Sequence, residues 1–124
     1  MKKEVNSQHA PAALGPYSQA IDTGEFVFLS GQIPLYPNTG KIEYDVTPAT
    51  HLVMNNIKAV LNASGLTFAN IVKTTVFLRS MDDFAEMNTV YETYFKKPFP
   101  ARSTVAVAML PKNVPVEIEC VAKR

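Results

Sequence analysis

The chain has a single cysteine, no apolar run of membrane-spanning length and no cluster of like charge, and each shortage removes a class of function. With Cys120 alone, no intrachain disulfide can form. Cys120 falls in the apolar run Val116 to Ala122, where a free thiol behaves as a small buried hydrophobe rather than a nucleophile. No stretch approaches the ~20 apolar residues that cross a bilayer. The segment Met1-Lys2-Lys3-Glu4-Val5-Asn6 has two lysines but no apolar segment behind them, so a signal peptide is not expected and a cytoplasmic protein is. Twelve basic and 11 acidic residues leave a net charge of +1. The densest basic pairs, Lys2-Lys3, Lys96-Lys97 and Lys123-Arg124, form no stripe that could track a phosphate backbone, which argues against a nucleic-acid partner. His9 and His51 are far apart with no cysteine or acidic cluster at ligand spacing, so no metal is expected. A phosphate loop, a GxGxxG turn and a GxSxG elbow are all missing, and no organic cofactor is expected.

What is present fits one globular domain over residues 1–124, with 47% hydrophobic and 19% charged residues. That length suffices to bury a real core. Lys2 to Val5, Tyr17 to Ile21 and Phe26 to Gln32 read as strands, the last two joined by a turn over Asp22-Thr23-Gly24-Glu25. The spacing of Val53, Ile57, Val60 and Leu61 predicts a helix from about Pro48 to Ser64, with Thr47 as N-cap and Gly65 as terminator. Ile71 to Leu78 is a β-branched strand. A second helix should open at Ser80-Met81-Asp82-Asp83, with Asp83 closing a capping box, and present Phe84, Met87, Tyr91, Tyr94 and Phe95 as its apolar face. Strands over Ser103 to Met109 and Val116 to Ala122 complete the order β-β-β-α-β-α-β-β. Two helices on one face of a sheet of about six strands make an α+β domain. The other sheet face must then be wet or covered by another chain, and association is expected.

Few residues stand out for chemistry. Arg102 follows a Pro-Ala step into a strand of small or apolar residues; its planar fork suits a substrate carboxylate, while the commoner use of such an arginine is a structural salt bridge at a surface or interface. Glu117 and Glu119 alternate with apolar neighbours and share one strand face, which is either solvated or the wall of a cleft where one glutamate moves protons. Asn88 lies within the aromatic face of the second helix and must find partners, as a loop anchor or a pocket wall. Tyr17, Ser30 and Gly31 sit at strand ends, where a phenol, a hydroxyl and an unhindered backbone could meet a ligand.

Three separated blocks carry a further signal. Ala10-Pro11-Ala12-Ala13-Leu14-Gly15-Pro16-Tyr17-Ser18-Gln19-Ala20, then Ser30-Gly31-Gln32-Ile33-Pro34, then Pro100-Ala101-Arg102-Ser103 with Leu110-Pro111-Lys112 and Val116-Glu117-Ile118-Glu119, together resemble the RidA/YjgF family from about Asn6 to the C-terminus. The resemblance implies a chorismate-mutase-like α+β fold, a homotrimer around a central barrel of sheets, and sites in the clefts between subunits. It implies hydrolysis of 2-iminobutanoate, 2-iminopropanoate and related enamines to 2-keto acids and ammonia, without metal or organic cofactor. Arg102 would hold the substrate carboxylate and Glu117 would activate water, both meeting in one closed pocket. Tyr17, Ser30, the Gly31 N–H and Asn88 would line it. The family often has cysteine two residues after the arginine; Thr104 stands there in this chain and retains its backbone groups. A small-carboxylate-binding regulatory module and a ribonuclease or translation inhibitor are the alternative readings.

Overall fold

The computed structural model describes residues 2–124. Six strands, β1 (Lys3–Val5), β2 (Ala20–Asp22), β3 (Phe26–Gln32), β4 (Ile71–Leu78), β5 (Ala101–Ala106) and β6 (Val116–Lys123), form one mixed sheet in the order β1-β2-β3-β6-β4-β5. Two helices, α1 (Val46–Ala63) and α2 (Phe84–Tyr91), pack against it. The element order and the α+β class are those expected from the sequence. All pairs are antiparallel except β4 with β5, which run parallel as the α2 crossover between them requires.

Alternation decides which face of the sheet is buried. On β6, Val116, Ile118, Cys120 and Ala122 are buried, while Glu117, Glu119, Val121 and Lys123 point the other way. Paired residues share a face, so Thr74, Val76 and Leu78 of β4 join the buried set opposite Cys120, Ile118 and Val116. Against them α1 lays Ala49, Val53, Met54, Ile57, Val60 and Leu61, and α2 lays Met87 and Tyr91, in one apolar cluster. Truncating a fully buried member such as Leu61 to alanine should cost about 2–5 kcal/mol. Cys120 belongs to this cluster, and burial pushes its thiol pKa up to about 12, so it is packing rather than nucleophile.

The opposite face carries no helix. Phe26 and Phe28 lie on it with ring centroids 6.2 Å apart, and Phe28 and Val105 are about half exposed at 47% and 45%. Beside this apolar face, β5 is an edge strand. Both features invite a second chain.

Several boundaries differ from the sequence reading. Helix α1 begins at Val46 behind Asp45, so Thr47 is not its N-cap and Pro48 is its third residue rather than its first. Proline is tolerated there because no N–H of the first turn has an intrahelical acceptor. The Thr47 N–H and Oγ1 instead both donate to Glu86 Oε2 of α2, at 3.1 and 2.7 Å. This carboxylate sits at the positive end of the α1 dipole and ties the two helices together. Glu86→Ala should lower stability by about 1 kcal/mol, read from the midpoint of a urea melt.

Ser80 accepts from the Asp82 N–H at 3.1 Å and starts a 3₁₀ turn, Met81–Asp83, ahead of α2. Asp83 does not close a capping box; its carboxylate lies 3.9 Å from Arg79. Tyr94 and Phe95 lie beyond α2 proper, in and after a second 3₁₀ turn. Strand β5 runs over Ala101–Ala106, not Ser103 to Met109, because its parallel partner β4 ends at Leu78, opposite Ala106. Strand β2 is Ala20–Asp22 rather than Tyr17 to Ile21: Tyr17 closes a tight turn through its N–H to Gly15 O (2.9 Å), and Ser18 and Gln19 are committed elsewhere.

Candidate active site in two halves

Arg102 lies on β5 opposite Thr74, and so on the helix-bearing face. Its Nη1 donates to Asn88 Oδ1 of α2 at 2.6 Å. The guanidinium carbon stands 4.9 Å from the Tyr91 ring centroid and 5.5 Å from that of Phe84. Tyr91 is itself oriented by a 2.8 Å hydrogen bond between its hydroxyl and Thr74 Oγ1. The guanidinium is therefore fixed by a neutral amide and two rings, and among the described residues no carboxylate pairs with it. Among the described residues it makes no salt bridge within the chain, and it keeps donors free for an anion. It opens onto a cleft of about 420 Å³ walled by Phe84, Asn88, Tyr91 and Phe99. Asn88 thus acts as orienter and wall together. Thr104, two residues along the same strand face, has a buried Oγ1 with no hydrogen-bond partner.

Glu117 belongs to the other face. It pairs with Phe77 on β4, which pairs with Val105 on β5. It is half-buried, and that burial, reinforced by the nearby Glu119, raises its carboxyl above the ordinary carboxylate range. Glu119 shares the face but is exposed. The Glu117 carboxyl lies directly on the backbone of Gly31. A Cβ built there would stand 3.1 Å from Glu117 Cγ, 2.8 Å from Cδ and closer still to Oε2. Glycine is needed here for space, not for backbone conformation. Gly31→Ala should leave the fold intact, since only the end of a flexible side chain must move, but turn the carboxyl away. The expected result is a loss of turnover of roughly tenfold or more at an unchanged melting temperature.

Ser30 and Gly31 form an irregularity in β3, where pairing with β6 slips between Leu29 and Gln32. Ser30 Oγ donates to Ser18 O at 2.6 Å and the Ser30 N–H to Gln19 O at 2.9 Å. Ser30 therefore ties the Tyr17–Ser18 loop to β3, and its hydroxyl proton is spent on that tie rather than offered to a ligand. Tyr17, 53% exposed, is carried on this tied loop, its ring against Gly15.

The expectation of one closed pocket holding Arg102 and Glu117 fails within a single chain. The two residues sit two strands and three register positions apart, about 14 Å by ordinary strand spacing, and point to opposite faces of the sheet. The cleft at Arg102 does not include Glu117. The seven residues assigned to the site from the sequence fall into two groups: Arg102, Asn88 and Thr104 on β5 and α2, and Tyr17, Ser30, Gly31 and Glu117 on β3, β6 and the loop tied to Ser30.

Two buried amides escaped the sequence reading. Gln19 accepts from the Ser7 N–H (2.7 Å) and donates to Ser7 O (3.1 Å) and Pro11 O (2.8 Å), pinning the N-terminal loop. Asn56 of α1 donates to Ile33 O and Leu35 O, both at 3.0 Å. Asn56 breaks the apolar pattern of α1, and that polar intrusion was the available signal. Among the described residues no group of histidine, cysteine and acidic side chains could hold a metal, and no helix is long and apolar enough to cross a membrane.

Comparison with known proteins covers nearly the whole chain. Residues 7–124 match the family described as Endoribonuclease L-PSP. The chain is 48% identical to a RutC family protein of Pasteurella multocida, with 98% of each chain covered. It is 46% identical to the 2-iminobutanoate/2-iminopropanoate deaminase of Escherichia coli K12, covering 100% of this chain and 99% of that one. The crystal structure of E. coli TdcF with bound serine superposes with a TM-score of 0.95 at 46% identity, covering 98% of both chains. The chain belongs to the Endoribonuclease L-PSP family, the RidA/YjgF family to which its three sequence blocks pointed.

Proposed function

We propose that this protein is a hydrolytic deaminase of small 2-imino acids, acting in the cytoplasm at sites built between copies of the chain in a homotrimer. The observation that carries the reading is the Arg102 guanidinium, set against the rings of Phe84 and Tyr91, bonded to a neutral amide and in no salt bridge among the described residues. Such a group is preorganised to take the carboxylate of a small acid in a two-pronged grip. The identity with the E. coli deaminase named above supports the imine as the substrate's reacting group.

The other half-site must come from a second copy. Glu117 and Gly31 lie on and beside the uncovered apolar face, with Tyr17 on the loop tied to Ser30, while Arg102 is on the edge strand β5. Docking the edge of one copy near the β3 irregularity of the next brings the fork to the carboxyl without moving either side chain to the other face of its own sheet. In that site the imine carbon, already electrophilic once its nitrogen is protonated, faces a water held by Glu117. Ionised Glu117 takes a proton as the C–O bond forms. The proton passes to nitrogen, Glu117 takes the hydroxyl proton as the C–N bond breaks and the C=O bond forms, and that proton leaves with the released ammonia as ammonium beside the 2-keto acid. The Gly31 N–H and the Thr104 backbone complete the wall, with Tyr17 closing it from the loop.

Because burial raises the Glu117 carboxyl, the acid limb of kcat should lie above the ordinary carboxylate range, with kcat rising as pH climbs through it. Generating imine in situ with a dehydratase and following keto-acid release, with and without the protein, tests the function. Acceleration supports it. Binding of small acids without acceleration would leave the carboxylate-binding regulatory module, and cleavage of RNA in its place would leave the ribonuclease.

A further inference from the structure

The half-site at Glu117 depends on a backbone that the sheet itself does not hold. Pairing of β3 with β6 lapses between Leu29 and Gln32, and beyond Gln32 the chain leaves the sheet. Ser30 and Gly31 fall in that lapse, so their position rests on other bonds. On one side they are held by Ser18 and Gln19, through the Ser30 hydroxyl and N–H. On the other side, the turn that follows is closed by the Leu35 N–H to Ile33 O (2.8 Å) and is gripped from α1 by Asn56. The Asn56 amide is 2% exposed and spends its Nδ2 on both Ile33 O and Leu35 O, at 3.0 Å each. A buried amide inside an apolar helix face is costly unless it is hydrogen-bonded, and these two bonds compensate the Asn56 Nδ2 group. Its two contacts lie two and four residues beyond Gly31, on the turn that continues the segment against which the Glu117 carboxyl sits.

We propose that Asn56 is a positioning residue for the reaction: from the far side of the core it locks the Ile33–Leu35 turn, and through it the Gly31 backbone and the Glu117 carboxyl, in the geometry that delivers water to the substrate. It touches neither substrate nor reacting atoms. Its effect should therefore fall on kcat and on the ionisation of Glu117, not on capture of the substrate carboxylate by Arg102, which stands on a different strand.

This inference rests on the deaminase reading, and the experiment separates the two. Asn56→Ala is compared with the unsubstituted protein and with Arg102→Ala in the in situ imine assay, per folded molecule, across a pH series, together with thermal melting. The expected result for Asn56→Ala is a kcat lower by roughly 10- to 100-fold. KM should stay within about twofold, and the acid limb should move down toward the ordinary carboxylate range as Glu117 loosens from Gly31. If the alanine variant does not fold, Asn56→Gln, which keeps both donors on a stem one methylene longer, is read the same way. A lower melting temperature with unchanged kcat and an unmoved acid limb would show that Asn56 only stabilises the fold, and the proposal would be wrong. If Arg102→Ala also leaves turnover intact, the deaminase reading itself is what fails.

Discussion

Arg102→Ala should lower kcat/KM for 2-iminobutanoate by roughly 10²–10⁴-fold, the loss of two charge-assisted hydrogen bonds of about 1.5–3 kcal/mol each. The fold should survive. Arg102 is only partly buried, its one side-chain hydrogen bond is to Asn88, and water can replace the guanidinium at that amide oxygen. The loss should appear in KM as well as kcat, because the fork both holds the acid and aims its imine carbon. Arg102→Lys should rescue little. An ammonium is a point charge that cannot span two carboxylate oxygens, and it stacks less well between Phe84 and Tyr91. Steady-state kinetics with size-exclusion chromatography as a control for assembly check this. Near-normal turnover by Arg102→Ala would refute the clamp.

Glu117→Gln should lower kcat by roughly 10²–10⁴-fold while leaving KM nearly unchanged, since the amide keeps the shape but cannot accept a proton. The same substitution should stabilise the protein at neutral pH. Folding raises this carboxyl's pKa, so the folded chain binds the proton more tightly than the unfolded one. That contribution is fully present at pH values below the unfolded carboxylate's pKa and is lost as pH rises through the raised, folded one. The glutamine variant has nothing to lose in that window. Its melting temperature should therefore exceed that of the unsubstituted protein above the window and match it well below, where Glu117 is protonated in both states. A loss of activity paired with a gain of stability marks a strained functional group. A structural residue would give the reverse sign in melting.

Much of the fold was legible because period and composition agreed. The β-branched run Ile71 to Leu78 and the alternation on Val116 to Ala122 read as strands at once, and the observed bounds match them closely. The ends of β2, β5 and α1 were not legible, because partners set them. β5 stops where β4 stops, β2 waits until the Ser30 and Gln19 ties release the chain, and α1 starts early because Glu86, distant in sequence, can cap it. Most of the candidate site residues could be picked out from the three blocks, but their arrangement could not. Alternation along one strand places Glu117 relative to Glu119, yet only the order β6-β4-β5 and its register show that Glu117 and Arg102 face apart. Ser30 looked like a ligand hydroxyl until its bond to Ser18 O was seen.

Mixing two inactive variants is the sharpest trial of that arrangement. Arg102→Ala and Glu117→Gln chains, each pure, are unfolded together in equal amounts, refolded, and assayed for imine hydrolysis beside each variant refolded alone. If every site takes its arginine from one copy and its glutamate from another, random assembly restores roughly a quarter of the unsubstituted activity, the chance that an interface receives both intact groups. Activity no higher than that of either variant alone, in oligomers shown to contain both chains, would contradict a shared site.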